Sequence, residues 1–283
     1  MNPEERLAAI ITSLETVGLS CLVMGGHAVR HYGLQRHTND FDLTLAPEGW
    51  DDLLDRLGRT GLFPDGIPVE GNSWRPGAFR RFQIGRLADG QEEWLEFWKE
   101  NHLLAPFPEL FSRREVARYG GRELAFFGLR DLIRSKETER AKDWDDIAYL
   151  EEFQDARLHA GVNAGTIGLA DALAQVRSRR GFDTYLAENR LSDLAAVRAA
   201  LGRTTNPVTQ AFLLPCAPDV VVLPSVVAME PIVDRKLRSL PAASPLHRSL
   251  VEVVRRRYKV VCQDRDRADK EAIRAAQQQG PTS

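Results

Sequence analysis

The stretch "LVMGGHAVRHYGLQRHTNDFDLTL", residues 22–45, holds an apolar run, a glycine pair, thirteen residues, and then two aspartates separated by one phenylalanine. Ser20 to Met24 is too short for a helix and reads as a buried strand ending in the turn Gly25-Gly26. His27 to Tyr32 follows as a short helix stopped by Gly33, and Asp40 to Leu45 alternates polar with apolar residues as a half-buried strand does. Side chains two apart on a strand share a face, about 6 to 7 Å apart, so Asp40 and Asp42 point together while Phe41 and Leu43 point into the core. Two ionised carboxylates side by side repel and need cations or several donors to hold them. Magnesium suits that need, because it takes hard oxygen ligands and binds one or two carboxylates together with substrate phosphates. A strand entering a glycine turn and then a helix offers main-chain N–H groups to an anion. Taken singly, the aspartates also fit a solvated strand face and the glycines a packing need; taken together they suit metal-bound phosphate.

Outward from this stretch, Leu7, Ile10, Ile11, Leu14 and Val17 recur at helical spacing after an Asn2 cap and Pro3. Pro47 opens a further helix with Trp50, Leu53, Leu54 and Leu57 inward. Residues 64–77, rich in Pro and Gly, read as a long loop. Phe79 to Leu87 and Glu92 to Lys99 read as two antiparallel strands around the hairpin turn Asp89-Gly90. "RELAFFG", residues 122–128, supplies a last short strand before a helix that begins near Leu129. These patterns predict a mixed β-sheet flanked by helices over residues 1–155 and a mainly α-helical domain over 156–283, an α+β chain. Within the second domain, "LLPCAPDVVVLPSVV" at 213–227 is broken by prolines, and the tail "QQQGPTS" has no apolar residue to anchor it.

The bulk composition excludes little. A formal charge of -2 gives no global basic field, so a nucleic-acid partner has to be held by a local patch. Cys21, Cys216 and Cys262 are far apart and odd in number, which fits neither a disulfide framework nor a CxxC-type zinc site and predicts a reduced protein. The acidic start Asn2-Pro3-Glu4-Glu5 is unlike a signal peptide and no apolar run approaches a membrane span, so a cytoplasmic protein with no membrane partner is expected.

"MGG", thirteen residues, then "DFDL" resembles the signature of the nucleotidyltransferase superfamily, the fold of DNA polymerase β and minimal nucleotidyltransferases, over roughly residues 18 to 152. The resemblance implies that Gly25 and Gly26 hold a nucleoside triphosphate and that Asp40 and Asp42 ligate two magnesium ions. It also implies a third carboxylate from a nearby strand. In "EEWLEFWKE", Glu96 shares a face with Trp94 and Trp98 and is the expected third metal ligand or general base; Glu93 or Glu92 takes the role if the register slips. The family more often has Asp at this place.

A second match is "DLIRSKETERAKDWDDIAYL", residues 131–150, where Lys136, Arg140 and Asp143 would fall on the stripe of Leu129, Ile133, Ile147 and Leu150 if one helix ran through. Either the helix breaks near Ala141 or the charges face a polar cleft. The segment resembles the "K…R..(R/K)D..D" motif of the abortive-infection AbiEii-type toxins and related nucleotidyltransferases. By that resemblance Lys136 contacts the triphosphate, Asp143 supports the catalytic centre, and Arg140 is the next phosphate-binding candidate. Arg36 and Thr38 match a basic residue and a hydroxyl ahead of the metal aspartates, for phosphate and for bracing Asp40. The histidines 27, 31 and 37 are not assigned a metal.

The activity so implied is magnesium-dependent transfer of an NMP group from an NTP to RNA such as tRNA, a protein side chain, or a small hydroxylated molecule. A toxin of this group would have an antitoxin protein as partner. From Asp234 to Arg274 there are twelve Lys/Arg against six Asp/Glu, a basic arm that favours RNA. The alternative is a non-catalytic nucleotide- or partner-binding module with the same fold.

Overall fold

The computed structural model describes residues 2–68, 70, 77–87, 90–101, 103–220 and 245–278. The chain divides into two compact units, Met1–Lys136 with Ala268–Ser283, and Glu137–Arg267. The division falls before residue 155 because residues 141–155 begin a helix that packs on other helices of the second unit.

The first unit opens with α1 (Pro3–Thr16), whose start follows from local chemistry: the Asn2 side chain accepts from the Glu5 N–H at 2.8 Å and Glu5 accepts from the Asn2 N–H at 3.0 Å. Leu7, Ile10, Ile11 and Leu14 are buried along it, each contributing about 1.5–3 kcal/mol through apolar burial. Val17 is its C-cap rather than part of its stripe. Then come β1 (Cys21–Val23), α2 (Gly25–His31) and β2 (Asp40–Leu45).

A 3-10 turn, Pro47–Gly49, precedes α3 (Leu53–Gly58), where a single helix was expected. Leu53 and Leu57, one turn apart, are buried, whereas Leu54 points off that face and is 42% exposed. β3 (Phe79–Arg86), β4 (Glu92–Trp98), α4 (Phe107–Ser112), β5 (Glu115–Tyr119), β6 (Arg122–Phe126) and α5 (Leu129–Ser135) complete the unit up to Lys136. Asp89 of the hairpin turn and residues 69 and 71–76 of the expected loop lie outside the described residues.

The strands form one mixed sheet in the order β3-β4-β2-β1-β6-β5. β2 runs parallel to β4 and antiparallel to β1, β1 is parallel to β6, and β3–β4 and β5–β6 are antiparallel hairpins. Phe41, Leu43, Leu95 and Phe97 are at most 2% exposed, so one face of the central strands is a packed apolar layer. The opposite face is left for chemistry.

The second unit is helical: α6 (Ala141–Asn163), α7 (Leu169–Leu173), α8 (Arg179–Ala187), α9 (Leu194–Arg203), α10 (Pro207–Leu213) and α11 (Pro245–Gln278) as far as Arg267. Its core gathers Leu158, Leu173, Phe182, Tyr185, Val197 and Phe212. Ser178, Asp193 and Asn206 cap α8, α9 and α10 with their side chains. Of the proline-broken stretch, Leu213 ends α10, residues 214–216 form a 3-10 turn and 221–227 lie outside the described residues, as do 279–283 of the tail. Among the described residues, no helix is long and apolar enough to cross a membrane.

Candidate active site

β2 and β4 are in register so that Asp42 stands beside Glu96 and Asp40 beside Trp94. β3 adds Arg81 beside Glu96 and Gln83 beside Trp94. Residues paired across strands share a face, so two rows cross three strands: Arg81–Glu96–Asp42 and Gln83–Trp94–Asp40. Both rows lie opposite the apolar layer of Phe41 and Leu95. The register thus selects Glu96 over its neighbours. Glu93 is 4% exposed and ion-paired to Arg6 at 2.7 Å, and Glu92 pairs with Arg86 at 3.2 Å.

The glycine turn sits directly on this face. Met24 donates its N–H to the Asp42 carbonyl at 3.0 Å, and the chain then turns through Gly25 at φ +61°, in the left-handed region. A Cβ on Gly25 would lie inside van der Waals contact of the Asp42 carboxylate, and one on Gly26 would collide with the Thr38 hydroxyl. The turn needs glycine twice because two side chains of the site fill the space. Thr38 donates to the main-chain carbonyl of Asp40 at 3.4 Å, which ties the approach to β2. Arg36 is half-buried, and its carbonyl accepts from the Arg30 guanidinium at 3.0 Å.

Electrostatics single out Glu96. Burial, followed by the charges of Asp42 and Asp40, raises its pKa from 4.5 to about 9, against the smaller opposing effect of Arg81. Held protonated at neutral pH, Glu96 donates a hydrogen bond to Asp42. The Arg81 guanidinium stands 3.6 Å from the Glu96 carboxyl and 3.9 Å above the Trp94 ring, a stacked cation on the same face. Sequence reading missed Arg81. A β-bulge between Gln83 and Gly85 shifts the hairpin by one residue, so counting back from the turn pairs Glu96 with the wrong neighbour.

Among the described residues, no group of three or more His, Cys, Asp and Glu side chains is gathered closely enough to hold a metal ion as it stands. The donor set Asp40, Asp42 and Glu96 nevertheless has the chemistry of a hard-cation site: oxygen only, on one face, with a proton between two of its members. His27 is not part of it. Its ring is 1% exposed, stacks on Phe41 at 5.1 Å, bonds Tyr119 at 3.1 Å through Nδ1, and is pushed down to a pKa of about 4 by burial.

The second motif is divided by the break between α5 and α6. Lys136 is the C-cap of α5 and is 5% exposed, so it is no surface lysine. Arg140 is the N-cap of α6 and Asp143 lies in its first turn, both in the second unit. Asp143 is fully buried; it accepts from Arg140 Nε at 2.7 Å, Arg140 Nη2 at 3.3 Å and the Thr138 hydroxyl at 2.5 Å. Asp143 thus has a structural task at the start of α6. Asp143→Ala is expected to lower stability by about 1–3 kcal/mol through loss of charge-assisted hydrogen bonds, read as a shift of the urea midpoint at unchanged slope. An unshifted midpoint would remove that task.

No protein-family model and no curated protein matches the chain. Among solved structures it is similar to that of an antigenic nucleotidyltransferase-like protein from Paracoccidioides brasiliensis, with 16% identity, a TM-score of 0.35, and coverage of 52% of this chain and 75% of that one.

Proposed function

We propose that the chain is a magnesium-dependent nucleotidyltransferase that moves an NMP group from an NTP to an acceptor nucleophile and releases pyrophosphate. The observation that carries this reading is the row of Asp42 and Glu96 on neighbouring parallel strands, with Asp40 on the same face and the Gly25 turn seated on the Asp42 carboxylate. Asp40, Asp42 and Glu96 would hold the cation, two ions on the family's pattern, once Glu96 gives up its proton. Magnesium bound there supplies positive charge to the phosphates at the bond that forms and the bond that breaks. The N–H groups of the Gly25-Gly26 turn would face the phosphates, Thr38 fixes the strand entry, and Arg36 and Lys136 are the cations assigned to the triphosphate; Arg140, in the second unit, has the motif resemblance alone behind it. An acceptor oxygen attacks the α-phosphorus, its proton leaves to base, and the bond to pyrophosphate breaks.

Three acceptor classes stay in the proposal: RNA, a protein side chain and a small hydroxylated molecule. The basic segment supports RNA less than its charge count suggests. Arg255 and Arg265 are consumed in ion pairs with Glu151 and Glu137, Arg256, Arg267 and Arg274 are exposed, and residues 234–244 lie outside the described residues. The role of toxin, with an antitoxin partner, rests on the motif resemblance alone. The rival reading is a non-catalytic nucleotide- or partner-binding module with the same fold, which the proton shared by Glu96 and Asp42 would suit. Incubation with each radiolabelled NTP and magnesium, with total tRNA, protein extract or a panel of aminoglycosides and lincosamides, separates the two readings. Label transferred to an acceptor supports the enzyme; NTP binding without transfer to any of the three supports the module.

Lys136 offers a sharper test within the same assay. Lys136→Met keeps the buried stem and removes the charge, and is expected to raise the KM for NTP about tenfold or lower kcat similarly, while Lys136→Arg recovers part of the loss. Unchanged kinetics in the methionine variant would take Lys136 out of the site.

A further inference from the structure

A cavity of about 380 Å³ lies between α6 and α8 in the second unit, and a neighbouring one of about 550 Å³ shares Glu152, Arg180 and Thr184 with it. The smaller is within the size range of small-molecule sites. Tyr149 and Phe153, one helical turn apart on α6, contribute aromatic surface, and Asp155 and His159 repeat the same spacing beside them. Asp155 is 1% exposed. Its carboxylate accepts from the Ser178 N–H at 2.7 Å, the Ser178 hydroxyl at 2.6 Å and the Arg177 N–H at 3.2 Å. α8 presses close upon it, since a Cβ on Gly181 would collide with that carboxylate.

The charges around the cavity are matched except for one. On the rim, Arg180 pairs with Glu152 at 3.6 Å, Arg179 with Asp183 at 3.1 Å, and His159 with Glu188 at 2.9 Å. Glu151, another buried acid of α6, has Arg255 at 2.8 Å. Asp155 makes no ion pair among the described residues, and Arg177 reaches it through the main chain and a more distant charge. Burial lifts the Asp155 pKa to about 6 in spite of three donors, and the group is still ionised at pH 7.5. A buried anion with no cation in ion-pair contact, beside two aromatic side chains, has the chemistry that takes up an organic cation.

We propose that this cavity binds a small organic ammonium or guanidinium ion with an apolar body, the charge on Asp155 and the body against Tyr149 and Phe153. The proposal is independent of nucleotidyl transfer. Calorimetric titration of the full chain at pH 7.5 with benzamidine, and with benzoate as the anion of the same shape, tests it. Saturable benzamidine binding is expected, with none for benzoate. Asp155→Asn keeps the acceptor for Ser178 and is expected to weaken benzamidine about tenfold or more, and Phe153→Ala about fivefold. Arg180→Ala, at a side chain that is 82% exposed, is expected to leave the affinity unchanged or to tighten it by removing a cation from the mouth. If Asp155→Asn does not fold, the Phe153 and Arg180 variants carry the test. Benzoate binding that is lost in Arg180→Ala would overturn the proposal in favour of an anion site. Absent benzamidine binding, or binding indifferent to Asp155→Asn and Phe153→Ala, would reduce Asp155 to a cap for α8.

Discussion

Asp42→Ala is expected to lower NMP transfer about a thousandfold or more while making the cation-free protein more stable at alkaline pH. On the proposed function, the loss follows from removing the carboxylate at the β2 end of the row Arg81–Glu96–Asp42, where charge at the reacting phosphate has to be offset. The gain follows from Glu96. Its folded pKa, about 9, lies above the ordinary 4.5, so between these values the folded protein holds a proton that the unfolded chain has released. Stability contributed by that proton is complete below pH 4.5 and is lost as pH rises toward 9, with a slope approaching about 1.4 kcal/mol per pH unit. Asp42 is the largest charge behind the shift, and its removal also deletes the hydrogen bond it accepts from Glu96. The Glu96 pKa then falls and the window narrows.

Glu151, raised to about 7, and Asp155, raised to about 6, titrate in the same range, so the test compares variant with wild type. With EDTA present, the melting temperature of Asp42→Ala minus that of wild type should increase from pH 6 to pH 8.5. Added magnesium should shrink the difference by stabilising the wild type alone. A difference that is flat with pH would detach Glu96 from Asp42, and wild-type turnover in the variant would end the catalytic assignment.

The half of the site that rests on local periodicity was legible in the sequence. Alternation placed Asp40 and Asp42 on one face of β2, and alternation in "EEWLEFW" placed Glu96 with Trp94 and Trp98. That Asp42 and Glu96 are neighbours is a matter of non-local register, which strand patterns do not contain. Arg81 was hidden by the bulge, and β5 by its weak alternation, with Val116 54% exposed on an edge strand. A signal for β5 was present in Gly120-Gly121, both at positive φ, which form the tight turn of the β5–β6 hairpin. The break after α5, ahead of Ala141, is one of the two outcomes that the charged stripe allowed, and it leaves Lys136 and Asp143 buried on either side of it. Both are packed residues, Asp143 through Thr138 and Arg140 at a helix start. The motif spacing read as one constellation therefore spans a unit boundary, because sequence proximity across a helix break says nothing about shared faces.

Gly25→Ala is expected to cost about 2–4 kcal/mol of stability and to reduce transfer by a hundredfold or more. Two penalties combine at this residue. Its φ of +61° is strained for any side chain, and the added carbon would occupy the position of the Asp42 carboxylate. The protein must either move the turn or rotate Asp42 away, and on the proposed function displacement of that carboxylate by about 1 Å is enough for such a loss of rate. Compensation separates packing from chemistry. The new Cβ would also stand 2.7 Å from the Cβ of Asp42, so alanine at 42 does not relieve the clash and glycine does. Gly25→Ala/Asp42→Gly should therefore recover much of the stability, short of the strain at φ +61°, and none of the activity. At the neighbouring position, Gly26→Ala meets Thr38 rather than an aspartate, so Gly26→Ala/Thr38→Gly should recover stability and part of the activity together. If the first double variant regained transfer, Asp42 would be a packing residue of the glycine turn. If the second regained stability with no transfer at all, the Thr38 hydroxyl would have a task beyond filling the space above Gly26.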